Sequence, residues 1–485
     1  MAWRAVINQL TTPYPVKNHS TTLTAILLAL LTAIAAPAAL GATDLLSAWQ
    51  AARQNNAAFA AARAQQEAGL TRPRQSQALS LPQVSASAGS GYLASDHDTR
   101  GAQFSAAGFG SANDAAFRTR LDGGPVTAFT LTAQQSLFNA ERNANASQLN
   151  HQGQLAEQQF RLAEQDLILQ TAQSYFAVLL ATDALATLQA QKNAVSHAFD
   201  VARERFEAGA APVTDRDEAQ ARFDAIVSEE LLARDELQLK RTAYADLTGT
   251  SAEDLRTAPT NAAFETLGGG ALSRWTARAA EHNPLLAMQN LGGAIARDEL
   301  EKFRARMAPS LDLIARLSDE RMNGANGLGG TTRINANTQT IVMQLTIPLY
   351  TGGMRDAKRD EAAALLRKAE FDTQSLREEI LRQTQASWLG VNTGITRIKA
   401  QTQALRSAQS RLNATTTGLE VGARTTLDLM NAQADYYQAQ RNLAQVKYQL
   451  LLDRLRLSAV AGELAEAQLR EVNALLAAAE TNPAR

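Results

Sequence analysis

Two glycine turns, 213 residues apart, constrain this chain more than any other feature. Arg205–Asp215, RFEAGAAPVTD, returns as Leu419–Asp428, LEVGARTTLD. Gly209 and Gly422 differ by 422 − 209 = 213 positions, and at that offset Phe206 pairs with Leu419, Glu207 with Glu420, Ala210 with Ala423 and Asp215 with Asp428. The same shift carries Ser174 to Ser387, and the heptad Val178, Leu185, Phe199, Phe206 onto Val391, Ile398, Leu412, Leu419; only Lys192, opposite Leu405, breaks it. Upstream, SLPQVS (Ser80–Ser85) answers to APSLDL (Ala308–Leu313), and SLFNAE (Ser136–Glu141) to PLYTGG (Pro348–Gly353). Agreement this extended marks a tandem duplication, each half running helix, strand, loop, strand, helix, turn, helix.

The helices flanking the turns are long. No proline falls between Pro125 and Pro212, or between Thr351 and Asn482. Helices are therefore predicted over Asn139–Ala208 and Thr351–Gly418, returning over Val213–Leu247 and Thr425–Ala461. At about 1.5 Å per residue the longer ones reach roughly 100 Å, more than a globular domain uses. Leu429, Tyr436, Leu443, Leu450 and Leu457 form one unbroken heptad, and Leu155, Leu162, Leu169 and Phe176 another. These are coiled-coil seams, with packing rather than ligand binding as their role. The divisions expected are a first repeat over 43–250, a linker over 251–270, a second repeat over 271–462 and a closing segment over 463–485. Short helices or strands are expected in the linker and closing segment, flanking the long helices at mid-height, and the terminal TNPAR is expected to be disordered.

Asp44 to about Arg72 is predicted helical, and Arg72–Pro73 disfavours its continuation. From Pro82 the period changes to two: Val84, Ala86, Ala88 and Tyr92 alternate with small polar residues. Ala94–Gly124, rich in Gly, Ala, Ser and Asp, reads as a loop before a second strand over Val126–Phe138. In the second half Leu311, Leu313, Ala315 and Leu317 begin a third strand. Met322–Asn337 reads as a loop, and Ile341, Met343, Leu345, Ile347 and Leu349 form a fourth strand. About ten residues is the length of a tilted membrane strand, and a short soluble hairpin fits the periodicity equally well.

Aromatics make up only 5% of the chain, which suits long helices with thin seams. Net charge is −1 with no basic cluster, so nucleic acid is not an expected partner. The absence of cysteine excludes disulfides, thiolate metal sites and a lipidated amino-terminal cysteine. The five histidines, His19, His97, His151, His197 and His282, are scattered, and no HExxH, GxSxG, Walker-A or paired-cysteine spacing occurs. No enzyme, cofactor or metal is expected. Arg4 and Lys17, the apolar run Leu23–Ala36 and then APAALGA read as a secretory signal peptide over 1–42, the run being short for a membrane anchor.

The remaining polar constellation lies at the turns: Thr214 and Asp215 in the first, Arg424, Asp428 and Asn431 in the second. Asp428 and Asn431 stand one helical turn apart on one face. Taken alone, such residues serve as caps or surface charge as readily as a site. The small residues Gly209, Ala210, Ala211, Gly422 and Ala423 let another backbone approach, or simply make the turns.

Four strands with an apolar face leave edges that a bilayer cannot tolerate, and closed membrane barrels need at least about eight strands. Copies must therefore pool their strands, and helices continuous with them must form a second hollow cylinder. The chain resembles the TolC family of outer-membrane channels from Asp44 to about Leu476. The resemblance is carried by SLPQVS, the SLF and IPLYTGGMR segments, RFEAGAAPVTD and VGARTTLDLMNAQ. It implies a mixed α+β membrane protein: a homotrimer whose strands make a twelve-stranded β-barrel among outer-membrane lipid, continuous with an α-helical barrel in the periplasm. It also implies a non-catalytic exit duct for drug efflux or type I secretion, working with a periplasmic adaptor and an inner-membrane pump or ABC exporter. Thr214, Asp215 and Arg424 match positions that hold the family's periplasmic tip closed, and Asp428 matches an acidic constriction ring. Leu419 and Asn431 depart from the tyrosine and second aspartate found in the best-known member, which implies a looser gate and weaker cation preference. The rival reading, a periplasmic coiled-coil scaffold without a pore, accounts for the heptads but not for strands joined to the helices.

Overall fold

The computed structural model describes residues 43–259, 262–305, 308–325 and 330–477, apart from the side chains of residues 119, 121 and 477. The expected leader over 1–42 and the terminal TNPAR lie outside these residues. In order the elements are α1 (Leu45–Asn55), α2 (Ala57–Gly69), α3 (Arg72–Ala78), β1 (Gln83–Ala106), β2 (Gly110–Asn139), α4 (Ala140–Glu207) and α5 (Val213–Thr248). A 3₁₀ turn (Phe264–Leu267) lies in the linker. Then follow α6 (Leu272–His282), α7 (Pro284–Phe303), β3 (Ser310–Ala325), β4 (Thr331–Thr346), α8 (Met354–Glu420), α9 (Thr426–Val460) and α10 (Glu466–Ala477).

Each half opens on short helices interrupted at an asparagine. Asn56, in extended backbone, ends α1 and caps α2 by accepting from Phe59 N at 2.8 Å. Asn283 does the same between α6 and α7, accepting from Leu286 N at 3.1 Å. The single helix expected from Asp44 to Arg72 is therefore two, because an asparagine side chain offers the backbone a cap in place of the next helical turn. Arg72–Pro73 begins α3, where proline loses no helical bond. These asparagines are 283 − 56 = 227 apart, whereas the turns are 213 apart, so the first half carries 227 − 213 = 14 extra residues between its asparagine and its turn.

The strands form one antiparallel sheet in the order β1-β2-β3-β4. Its register aligns Val84, Ala133, Ala315 and Ile341 in one row, and Ala86, Leu131 and Leu317 in the next. On the opposite face Ser85, Thr132, Arg316 and Thr340 align, as do Ser87, Thr130, Ser318 and Thr338. Over these rows one face is largely apolar, with Gln339 opposite Leu317, and the other largely polar, with Ile314 and Val342 in the row of Gln134, a bias that suits a sheet dividing lipid from water. Ile341, Met343 and Leu345 on β4 and Val84 on β1 are exposed, and β1 and β4 are both open edges.

The loop expected over Ala94–Gly124 is mostly strand. Among the described residues the pairing of β2 with β3 ends at Val126, opposite Met322, and residues 95–106 of β1 pair with 110–121 of β2 as a two-stranded arm. Bulges after Leu93 and Thr99 and small polar residues on both faces hide its period. Likewise β3 runs to Ala325 and β4 starts at Thr331, shortening the loop expected over Met322–Asn337. Conversely β4 stops at Thr346, before Ile347 and Leu349. Pro348 cannot donate to a ladder, and Gly352 and Gly353 turn the chain with φ of +64° and +80° into α8. The first half has no such connection: β2 ends at Asn139, whose side chain caps α4 by accepting from Arg142 N at 3.0 Å.

The main core sits halfway along the long helices, where Leu45, Trp49, Tyr175, Phe176, Tyr244, Trp275, Leu450, Leu455, Leu457 and Leu469 bury one another. The linker and α10 pack here: Tyr175 donates to the carbonyls of Thr43 (3.0 Å) and Arg256 (2.9 Å), and Leu469 is fully buried. Of the α9 heptad, Leu443, Leu450 and Leu457 are buried, and of the α4 heptad only Phe176 is. The seams are thin, as an Ala- and Gln-rich chain dictates.

Candidate functional site

The far ends of the long helices are closed by two superposable turns. In the first, Gly209 N donates to Phe206 O at 2.8 Å and Ala210 N to Arg205 O at 2.8 Å. In the second, Gly422 N donates to Leu419 O at 3.1 Å and Ala423 N to Gly418 O at 2.7 Å. Both are glycine C-caps satisfying the last helical carbonyls, with φ of +73° at Gly209 and +75° at Gly422, a conformation that disfavours any β-carbon. Gly209, Ala210, Gly422 and Ala423 are exposed and Ala211 is half-buried.

After the turns the halves diverge. Thr425 caps α9: its hydroxyl accepts from Asp428 N at 3.1 Å, while Asp428 Oδ2 accepts from both the Thr425 N–H and hydroxyl at 3.0 Å. The Thr425 backbone bond, then its hydroxyl, and the Arg424 and Arg411 cations hold the Asp428 carboxyl below the usual carboxylate range. At the equivalent cap position, 425 − 213 = 212, stands Pro212, with no N–H to give and no side-chain cap. The carboxylate of Asp215, counterpart of Asp428, is therefore released from local duty, and Thr214 beside it is exposed.

Arg424 folds its stem over its own turn, such that a β-carbon on Gly418 would lie 2.6 Å from Arg424 Cγ. Among the described residues no hydrogen bond or ion pair joins Arg424 to Thr214 or Asp215 within the chain. Asn431 is engaged instead by a residue the sequence did not single out: Arg222 of α5 donates to Asn431 Oδ1 at 3.2 Å. One arginine among the many charges of α5 carries no periodic or motif signal, so only the fold reveals it.

Near the tip Met430 of α9 is buried with Val195, Ala198 and Ala202 of α4 and Ala219 and Ile226 of α5. Above it α9 meets α4 through polar bonds: Tyr437 hydroxyl to Ala190 O (3.3 Å), Arg441 to Gln191 (3.2 Å) and Tyr448 hydroxyl to Asp183 (3.0 Å). Met430, Tyr437, Arg441 and Tyr448 recur at intervals of seven, four and seven, one stripe of the helix. These hydrogen bonds add to the apolar contacts that the α8–α9 hairpin makes with the α4–α5 hairpin at Met430 and in the main core, where the Tyr448 ring stacks on Phe176.

A sheet with one lipid-compatible face, extended into a shaft of paired helices with reciprocal tips, defines a membrane-anchored channel protein. The chain belongs to the outer membrane efflux protein family, which it matches over residues 48–250 and 275–463. It is 28% identical over 450 residues to the outer membrane protein TolC of Vibrio cholerae serotype O1, covering 91% of this chain and 96% of that one. It is 30% identical over 358 residues to the alkaline protease secretion protein AprF of Pseudomonas aeruginosa, covering 73% of each. The solved outer membrane protein VceC from Vibrio cholerae shares the fold, with a TM-score of 0.66 at 18% identity over 86% of this chain and 96% of that one. The protein is accordingly an outer-membrane exit duct of the efflux and type I secretion class, in a family of transport channels rather than catalysts.

Proposed function

We propose that three copies pool their strands into a twelve-stranded barrel, and that their helices form a periplasmic tunnel closed at the tips. The observation that carries this is the open four-stranded sheet, whose apolar face and two free edges demand closure before it can lie in a bilayer. Exposed Leu231, Leu232 and Leu239 on α5, and Leu365, Phe371 and Leu389 on α8, give neighbouring copies further apolar surface to cover. The duct passes drugs or exported polypeptides without chemistry, supplied by an inner-membrane pump or ABC exporter through a periplasmic adaptor that seats on the Gly209–Ala211 and Gly422–Ala423 turns.

In this reading Asp428 of each copy rings the narrowest point. Like charges brought together there repel, so a restraint must hold the tips. Arg424 supplies it by bonding Thr214 or Asp215 of a neighbouring copy. The carboxylate of Asp215, freed by Pro212, and the absence among the described residues of a bond from it to Arg424 support a link across the boundary. Mass determination of the detergent-extracted protein tests the assembly: three chains per particle is the expected result, and a monomer or dimer soluble without detergent rules it out.

A further inference from the structure

We propose that Arg222 and Asn431 form a latch inside each subunit, holding the α8–α9 hairpin against the α4–α5 hairpin, so that Asn431 is a positioning residue of the gate rather than a lining residue of the constriction. The inference rests on the reading of the tips as a gate. Three observations carry it. Asn431 Oδ1 accepts from the Arg222 guanidinium at 3.2 Å, so its acceptor faces α5. Its neighbour Met430 is 3% exposed, anchored among α4 and α5 residues, which fixes the rotation of α9 at this level. On the other side Asp435 pairs with Arg411 of α8. At 100° per residue Asn431 falls 100° from Met430 and 40° from Asp435, on the flank between its two partner hairpin faces.

The bonds from α9 to α4 described above lie farther from the turns, so among the described residues Arg222–Asn431 is the hydrogen bond between the hairpins nearest the tip, and it is made to α5. The residue also lies within one helical turn of Asp428. A restraint there acts close to the constriction, where a small rotation of α9 moves Asp428 most directly. An exposed pair of this kind is weak singly, and three symmetric copies released together have the larger effect.

The test is planar-bilayer recording of the full-length protein, with Arg424→Ser as reference. Arg222→Ala and Asn431→Ala are each expected to raise open probability about threefold, and the double variant no further than either single, because both remove one bond. Asn431→Asp turns the bond into an ion pair: it is expected to lower open probability, and Arg222→Ala in that background to abolish the effect. If Asn431→Asp instead raises cation selectivity whether or not Arg222 is present, Asn431 lines the pore and the latch is wrong. If Arg424→Ser opens the channel while the Arg222 and Asn431 variants behave as wild type, the latch fails and the gate stands. If none of the variants changes conduction, the gate reading falls and the latch with it.

Discussion

Tyr175 and Trp388 stand 388 − 175 = 213 residues apart at the midpoints of α4 and α8, and each donates a hydrogen bond to the segment joining the repeats: Tyr175 to Arg256 O at 2.9 Å, Trp388 to Gly270 O at 3.0 Å. The duplicated helices thus clamp their own linker from both ends, which explains why the core lies at mid-length. Tyr175→Phe removes a buried hydroxyl serving two carbonyls and is expected to cost about 1–2 kcal/mol. Trp388, half-buried, is expected to cost less on change to Phe. Chemical denaturation of the detergent-solubilised protein measures both; equal stability of wild type and Tyr175→Phe would mean that water replaces the hydroxyl.

The turn glycines separate conformation from docking. A β-carbon at Gly209 or Gly422 meets no atom within 4 Å, so substitution is opposed by the positive φ alone. Gly422→Val is expected to destabilise the turn by about 1–2 kcal/mol. Ala210→Trp and Ala423→Trp, at exposed positions, are expected to leave folding and assembly intact while abolishing export. Transport that survives both tryptophans would move the adaptor contact elsewhere.

Much of this was legible in the sequence because proline and glycine punctuate it. Pro212 and Gly209 bracket the first turn, and the long helices end within three residues of their predicted bounds. The hairpin arm was not legible: alternation cannot be seen where Ala, Gly, Ser and Asp occupy both faces, and only pairing such as Asp98 with Arg118 reveals the strands. Nor was the different fate of Asp215 and Asp428, identical residues at equivalent positions, since it depends on whether the cap three residues earlier has an N–H. Asn431 was placed with Asp428 by helical spacing, but spacing says nothing of Arg222 arriving from another hairpin.

The α4–α9 contact titrates. Burial pushes the Asp183 carboxyl above the usual carboxylate range, against the opposing bond from the Tyr448 hydroxyl and the attraction of Lys447. A carboxyl raised on folding contributes stability that is fully present below its ordinary value of 3.8 and is lost as pH rises through the raised value. Asp183→Asn keeps an acceptor for Tyr448 and does not titrate. Its stability relative to wild type is therefore expected to improve as pH is raised from about 4 to 7. Thermal unfolding across that range checks this, and parallel curves would show that Asp183 does not titrate differently on folding.

Asp428 caps α9, and substitution separates that cap from the constriction role proposed for it. Asp428→Asn retains an oxygen to accept from Thr425, while Asp428→Ala loses the cap, at about 1 kcal/mol. Both remove the charge, so both are expected to lower cation selectivity and divalent-ion block, with only the alanine variant lowering stability. Reversal potentials in a salt gradient report the first effect; selectivity unchanged in both would leave Asp428 as a cap alone.

The central claim is a duct held shut at its tips by Arg424 reaching a neighbouring copy. Single-channel conductance of Arg424→Ser against wild type in planar bilayers tests it most directly. The account predicts small steps in wild type that grow severalfold in the variant, and a smaller difference at high salt, where exposed charge pairs are screened. Identical conductance at low and high salt would contradict it.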